Sequence, residues 1–327
     1  MRTALLALAL VGSPAHAQGP VYLVVVSGLG GEPKYSDAFY DTAITLLDAA
    51  GDRLGIPSDQ VTYLAEQPQR DTVRITGRST KEGISRVLRD LAARAEADAL
   101  IVIVLIGHGS AVGGASRINL PGPDLTADAF DVLLDRFPTQ RIVVANTTSA
   151  SGGWIETLSA PRRTIITATR SGGERYESYF GRHFADAFAV DGADTDKNGR
   201  TSVLEAFLYA RREVARTYEG DNRFLTEHAL LDDDGDGEGS REPQAESGDG
   251  AIAARLFLDR PAAVLDSDPE LALLQQHQDS LQRELAALRA RKDALPAIEY
   301  DRALERILLE IARTGRAMRE RRPERRP

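Results

Sequence analysis

Three stretches of this sequence carry side chains whose type and spacing could do chemistry. The first is "LIGHGS", where His108 sits between Gly107 and Gly109 directly after the apolar run Leu100 to Ile106. Glycine on both sides lets the backbone turn sharply and leaves the imidazole accessible as a general base. His16 lies in an N-terminal leader, His183 and His277 in helical patterns and His228 in a loop, so His108 is the histidine that follows a central strand. The plainer alternative for it is an imidazole satisfied by backbone hydrogen bonds. The second stretch is "VVANTTSASGGW", Val143 to Trp154, where a β-branched run gives way to small residues around Ser149. A turn of this kind displays a nucleophile. Two alternatives stay open. Thr147, Thr148, Ser149 and Ser151 could cap a helix beginning near Trp154. Or the turn, with Gly152, could bind a peptide or carboxylate through backbone N–H groups without cutting it.

The third stretch, "DTDKNGRTSVLE" from Asp194 to Glu205, suits a hard cation. Asp194, Asp196, Asn198, Gly199 and Glu205 fall at the first, third, fifth, sixth and twelfth positions of a calcium loop. Arg200 would contribute its backbone carbonyl, and Ser202 would ligate directly or through water. Thr201 departs from the aliphatic residue usual at the eighth position. Ser202 and Glu205 also have the spacing of a helix capping box, but a capping box needs none of the upstream residues. Ca2+ is the one cofactor implied. "LDDDGDGEG", with Asp232, Asp234, Asp236 and Gly237, starts a similar loop but has Pro243 where the twelfth ligand belongs. It reads as an acidic surface loop with weak calcium affinity at most.

Five apolar runs alternate with helical patterns and must position these residues. They are Val21 to Gly28, "QVTYLAE", "ALIVIVLIGHG", "RIVVANTT" and "RTIITAT", with "AIAARLFL" near Ala251 as a sixth candidate strand. Ser36, Ser79 (with Glu82) and Thr126 read as caps of the intervening helices. Strands alternating with helices imply an α/β fold with a mainly parallel, six-stranded sheet flanked by helices. Functional residues then belong at the carboxyl ends of the strands, where "SGLGG" with Gly28, "GHGS" and "TTSASGG" fall. From about Asp266 the composition changes. Leu274, Leu281, Leu288 and Leu295 recur every seventh residue, and Leu271 and Leu285 fill part of a second row broken by Gln278 and Lys292, a weak coiled-coil pattern. With Leu304, Ile307, Leu308 and Ile311 beyond Pro296, residues 266–327 read as an antiparallel helical hairpin with a basic tail. The hairpin, 266–320, is a candidate for self-association or docking. The tail reads as a solvated end or as a contact for an acidic partner or anionic lipid.

The chain of 327 residues has 42% hydrophobic and 27% charged residues, the composition of a globular protein. Its net charge of -9 argues against nucleic acid as a partner. Residues 1–17 read as a secretory signal peptide: Arg2, the apolar stretch Ala4 to Val11, then Ala15-His16-Ala17. The apolar stretch is too short for a membrane span. The protein is thus expected to be secreted or periplasmic, with no transmembrane segment after cleavage and an α/β domain over 18–265. The absence of cysteine excludes disulfides and thiolate metal sites.

A strand ending in His-Gly, followed by a strand ending in "SASG", resembles the caspase-like cysteine peptidases. The legumain branch, with its bacterial exported members, is nearest. "LIGHGS" matches the family's histidine motif, and Ser149 to Gly152 aligns with Cys-x-Ser-Gly. The resemblance spans roughly Val21 to Phe257 and implies a caspase-like fold with a Cys–His dyad. It also implies that Ser149 stands at the nucleophile position and that Thr147 replaces the glutamate of an asparagine-selective pocket. A thiol of pKa about 8.5 is readily drawn to a thiolate by an imidazole. A serine hydroxyl needs a base within hydrogen-bond reach and a group orienting that base. Asp124 and Asp128 are both candidates for that third role. Loss of a nucleophile can cost on the order of a million-fold in rate. The sequence therefore points to an inactive, exported peptidase relative that binds a peptide or protein ligand or acts as a scaffold. The alternatives are a hydrolase using Ser149 and His108, and a structural calcium-binding envelope protein.

Overall fold

The computed structural model describes residues 19–259 and 269–321. The 1–17 leader, the expected boundary at 265/266 and the end of the basic tail lie outside the described residues. In chain order the elements are β1 (Val21–Ser27), α1 (Pro33–Asp52), β2 (Val61–Ala65), β3 (Gly77–Arg78), α2 (Lys81–Arg94), β4 (Leu100–Ile106), β5 (Gly109–Val112), β6 (Ala115–Ile118), β7 (Leu125–Thr126), α3 (Ala127–Leu134), β8 (Arg141–Asn146), α4 (Trp154–Leu158), β9 (Arg163–Thr167), α5 (Phe180–Ala189), α6 (Val203–Gly220), β10 (Leu230–Asp232), α7 (Pro269–Ala290) and α8 (Ala297–Arg321).

The main sheet has seven strands in the order β10-β9-β8-β4-β1-β2-β3, all parallel except β10. Strands β1 and β4 are buried along their whole length, which is why they read as continuous apolar runs rather than alternating ones. Alternate residues serve opposite faces. Leu23, Val25, Val102 and Val104 pack with Leu46 of α1, Phe184 of α5 and Phe207 of α6. Val24, Val26, Ile101 and Ile103 pack with Leu88 of α2, Phe130 of α3 and Trp154 of α4. Both faces are covered, as the alternation of strands and helices requires.

The expected six strands become seven, and the sixth candidate is not among them. Residues 251–255 turn and form a short 3-10 helix over Ala253–Arg255, and Phe257 makes one isolated bridge to Ser202. The added strands, β3 and β10, are two and three residues long, too short for any periodicity to announce them. Two helix caps also differ. α1 begins at Pro33, so Ser36 lies inside its first turns and donates its hydroxyl to Glu66. α2 is capped by Thr80, whose side chain accepts from the Gly83 amide, whereas the Ser79 hydroxyl is buried without a partner. Thr126 does cap α3.

α7 and α8 form the antiparallel hairpin, with Leu281, Leu285, Ile307 and Ile311 at its centre. Glu270 near the start of α7 pairs with Arg321 at the end of α8. Among the described residues no helix is long and apolar enough to cross a membrane.

Candidate functional site

β4 lies between β1 and β8, with Ile106 opposite Ser27 and Leu105 opposite Asn146. The segments that follow these three strands therefore emerge side by side at one edge of the sheet. They are Gly28–Leu29, Gly107–Gly109 and Thr147–Gly152, the three stretches expected at strand ends. Gly28 donates its amide to Ile106, and Gly107 packs against the Gly28 backbone. Gly109 runs so close to the serine turn that a Cβ there would overlap the Ser149 carbonyl and the Thr148 hydroxyl. That close approach is the physical need for glycine after His108.

The two central side chains have different surroundings. The His108 ring is half-buried and meets Tyr35 and Phe39 of α1 edge-on, at centroid distances of 4.6 and 5.1 Å. Burial lowers its pKa, against the opposing pull of the Glu177 charge and the Gly30 backbone, so the neutral imidazole is favoured. Ser149 is buried, 3% exposed, and its hydroxyl is held by one neighbour. It accepts from the Gly109 amide at 3.2 Å and donates to the Gly109 carbonyl at 3.3 Å. His108 is not a hydrogen-bond partner of Ser149 here. Of the two candidates for orienting the ring, Asp124 accepts from the Leu120 amide and Asp128 lies in the first turn of α3.

The remaining turn residues are tied into the scaffold. Thr147 donates to the Leu105 carbonyl at 2.8 Å. The Ser151 oxygen accepts from the amides of Ala168 and Thr169. Gly152 donates its amide to the Thr169 hydroxyl. α4 does begin at Trp154, but its N-cap is Gly153 with no side-chain cap, so the hydroxyls expected to cap it do other work. The amides of Ala150, Trp154 and Ile155 already have carbonyl acceptors in Glu174, Ser151 and Gly152. Ala150 adopts φ 53°, a left-handed conformation that strains a non-glycine residue.

Sequence reasoning did not find the wall of this site. Tyr35 belongs to no motif, and Phe39 reads as part of the apolar stripe of α1 rather than as a wall against the histidine. Glu174 sits in the loop over the serine turn and pairs with His228 Nδ1 at 2.6 Å. Glu227 accepts from the Ser178 hydroxyl and the amides of Tyr179 and Phe180, capping α5 from a distant loop. Burial raises its pKa despite those bonds. No local pattern links residues 174 and 228 or 178 and 227, which meet only when the fold closes.

The calcium-loop residues come together. Asp194, Asp196 and Glu205 offer carboxylate oxygens all within 4.8 Å of one another. Gly199 takes φ 83° and donates its amide to Asp194. The Asn198 side-chain oxygen accepts from the Arg200 amide. The capping box also forms: Ser202 and Glu205 bond reciprocally at the start of α6. Glu205 Oε1 accepts from the amides of Thr195 and Asp196, so a cation would share that oxygen with them. The Arg200 side chain turns away to Asp259 and the Phe257 ring, leaving only its backbone for the loop. Burial and the Glu205 and Asp194 charges push Asp196 up to about 7. An all-oxygen donor set with crowded negative charge fits a hard divalent cation.

A search of the sequence against protein-family models and against curated proteins finds no match. Among solved structures the chain is similar to drICE, at 11% identity and TM-score 0.38, covering 62% of this chain and 86% of that one. It is also similar to protein GSU0716 from Geobacter sulfurreducens, at 13% identity and TM-score 0.41, covering 65% of this chain and 92% of that one.

Proposed function

We propose that this chain is a non-hydrolytic relative of the legumain-type, caspase-like peptidases that binds a peptide or protein segment at the carboxyl edge of its sheet. One observation carries the reading: the Ser149 hydroxyl is sealed against both backbone groups of Gly109, while His108 is wedged between Tyr35 and Phe39. A serine without a base in reach is a poor nucleophile. The substitution of an alcohol for the family's thiol, read from "SASG", points the same way. Exposed apolar side chains outside the strands of the main sheet supply a surface for a ligand. Leu29, Val112, Tyr176, Phe224 and Leu225 are all exposed, Phe224 by 93%. The leader pattern read in residues 1–17 supports a site of action outside the cytoplasm, secreted or periplasmic.

The test is a fluorophosphonate probe on the purified chain. No labelling is expected. Labelling of Ser149 that His108→Ala abolishes would overturn the proposal and favour the serine hydrolase. That second reading draws on the strained turn at Ala150 and the neutral His108, both features of an active elbow.

We further propose that Asp194, Asp196, Asn198, the Arg200 carbonyl and Glu205 hold Ca2+, with Ser202 at the loop's closing edge. The cation would neutralise the crowded carboxylates and order the connection between α5 and α6. Isothermal titration should show a calcium site that Glu205→Gln removes. Loss of no site in that variant would assign the loop to helix capping alone.

A further inference from the structure

β10 ends in a buried acidic side chain with an unfilled bond. Asp232 is fully buried, at 0% exposure. Its Oδ1 accepts from the Gly235 amide at 3.1 Å, but its Oδ2 has no hydrogen-bond partner. A buried carboxylate oxygen left in this state is costly, and native structures rarely keep one without a ligand, water or ion. Asp232 offers a carboxylate oxygen within 4.8 Å of those of Asp234 and Asp236. Among the described residues no lysine, arginine or histidine pairs with any of these three. Asp249 approaches from the following loop, its Oδ1 accepting from the Asp233 amide. Asp249 lies within electrostatic reach of Asp234, Asp232 and Asp233. Asp233 itself faces the other way, accepting from the amides of Gly250, Ile252 and Ala253.

The backbone is already shaped as a cation loop. The Asp236 amide bonds to Asp234 at 3.2 Å, and the Glu238 amide bonds to Asp236 at 2.7 Å. These match the Asn198–Asp196 bond of 2.9 Å and the Arg200–Asn198 bond of 2.8 Å in the loop between α5 and α6. Gly237 takes φ 82° where Gly199 takes 83°. Ser240 closes the loop by exchanging backbone bonds with Leu231.

We propose that Asp232, Asp234 and Asp236, completed by Asp249 in place of the twelfth ligand that Pro243 cannot supply, bind a second calcium ion. The donors are oxygen alone and the chain has no cysteine, which favours a hard cation over zinc or copper. The loop is anchored at the end of α4 remote from the serine turn, toward the amino edge of the sheet. Gly237 donates its amide to Ser159, and Gly235 packs on Ala160. Those residues directly follow α4, the helix that leaves the Ser149 turn. The ion therefore fastens β10 and its loop to the end of α4, bracing the edge of the sheet opposite the candidate site.

The test uses terbium as a calcium surrogate on the full chain. Trp154 is the single tryptophan, and it opens the helix whose Glu156 and Ser159 face this loop. Excitation at the red edge, where tryptophan alone absorbs, should give sensitised terbium emission that calcium displaces. The double variant Asp234→Asn/Asp236→Asn, altered at exposed positions, should lose it, with calcium affinity at this site weakened on the order of tenfold or more. Asp232→Asn should do the same where it folds. Glu205→Gln should keep the signal while losing its own ion in equilibrium dialysis. Emission that is absent, unchanged in the double variant, or lost only in Glu205→Gln would overturn the proposal. Equal displacement by magnesium would overturn the assignment to calcium.

Discussion

At the scale of single residues, Ser149 fills a place in the scaffold as fully as it fills a motif. Its hydroxyl satisfies both backbone groups of Gly109, which the neighbouring strand brings alongside. Ser149→Ala would leave a half-buried amide without its acceptor, and about 1 kcal/mol of stability should be lost in a urea titration. A surface-like serine, poised to react, would show no change. His108 gives a second prediction, from pH. Burial lowers its folded pKa below the unfolded value of about 6.5. The unfolded chain therefore takes up a proton first as pH falls, and stability declines from that point until the folded group also titrates. His108→Gln should flatten this part of the stability curve. A profile unchanged by the substitution would show the ring to be solvated. Both residues were legible in the sequence because an apolar strand running into glycine or small residues marks a strand end. Their partners were not. Tyr35 and Phe39 look like any helix stripe, and the serine's bond to Gly109 depends on strand order, which spacing along the chain does not encode.

At the scale of elements, the long features were readable and the short ones were not. β1, β4, β8 and β9 were visible as buried runs, and α3 as a capped amphipathic helix. β3 and β10 escaped because two or three residues carry no period, and the run near Ala251 misled because alanine-rich apolar stretches suit turns and helices as readily as strands. The loop between α5 and α6 was readable as a ligand pattern because its donors are local in sequence. The turn after β10 reads as incomplete because of Pro243, since the donor proposed from Asp249 lies outside the local pattern. The hairpin offers the element-scale prediction. Gln278, which interrupts the heptad row, is fully buried with both amide atoms unpartnered. Gln278→Leu removes an unsatisfied polar group from an apolar seam and should stabilise the hairpin by about 1–3 kcal/mol. A loss of stability would mean that the amide has a partner in a larger assembly.

At the scale of the whole molecule, the α/β layers and the helical hairpin each close their own core. The seam of α7 and α8 is a separate cluster, and an exposed Arg289–Glu246 ion pair links α7 to the α/β layers. Such a pair contributes little. A chain ending before residue 266 should keep the melting transition of the α/β domain. The hairpin leaves Leu273, Leu308 and Leu309 on its outer surface, so light scattering should show any self-association lost with it. An unchanged mass would remove the hairpin's docking role.

Cleavage of a complex peptide library by the purified protein, read by mass spectrometry, addresses the central claim most directly. The account predicts a product profile identical to that of buffer and of Ser149→Ala. New peptide ends that appear with the intact protein and vanish in both Ser149→Ala and His108→Ala would contradict it.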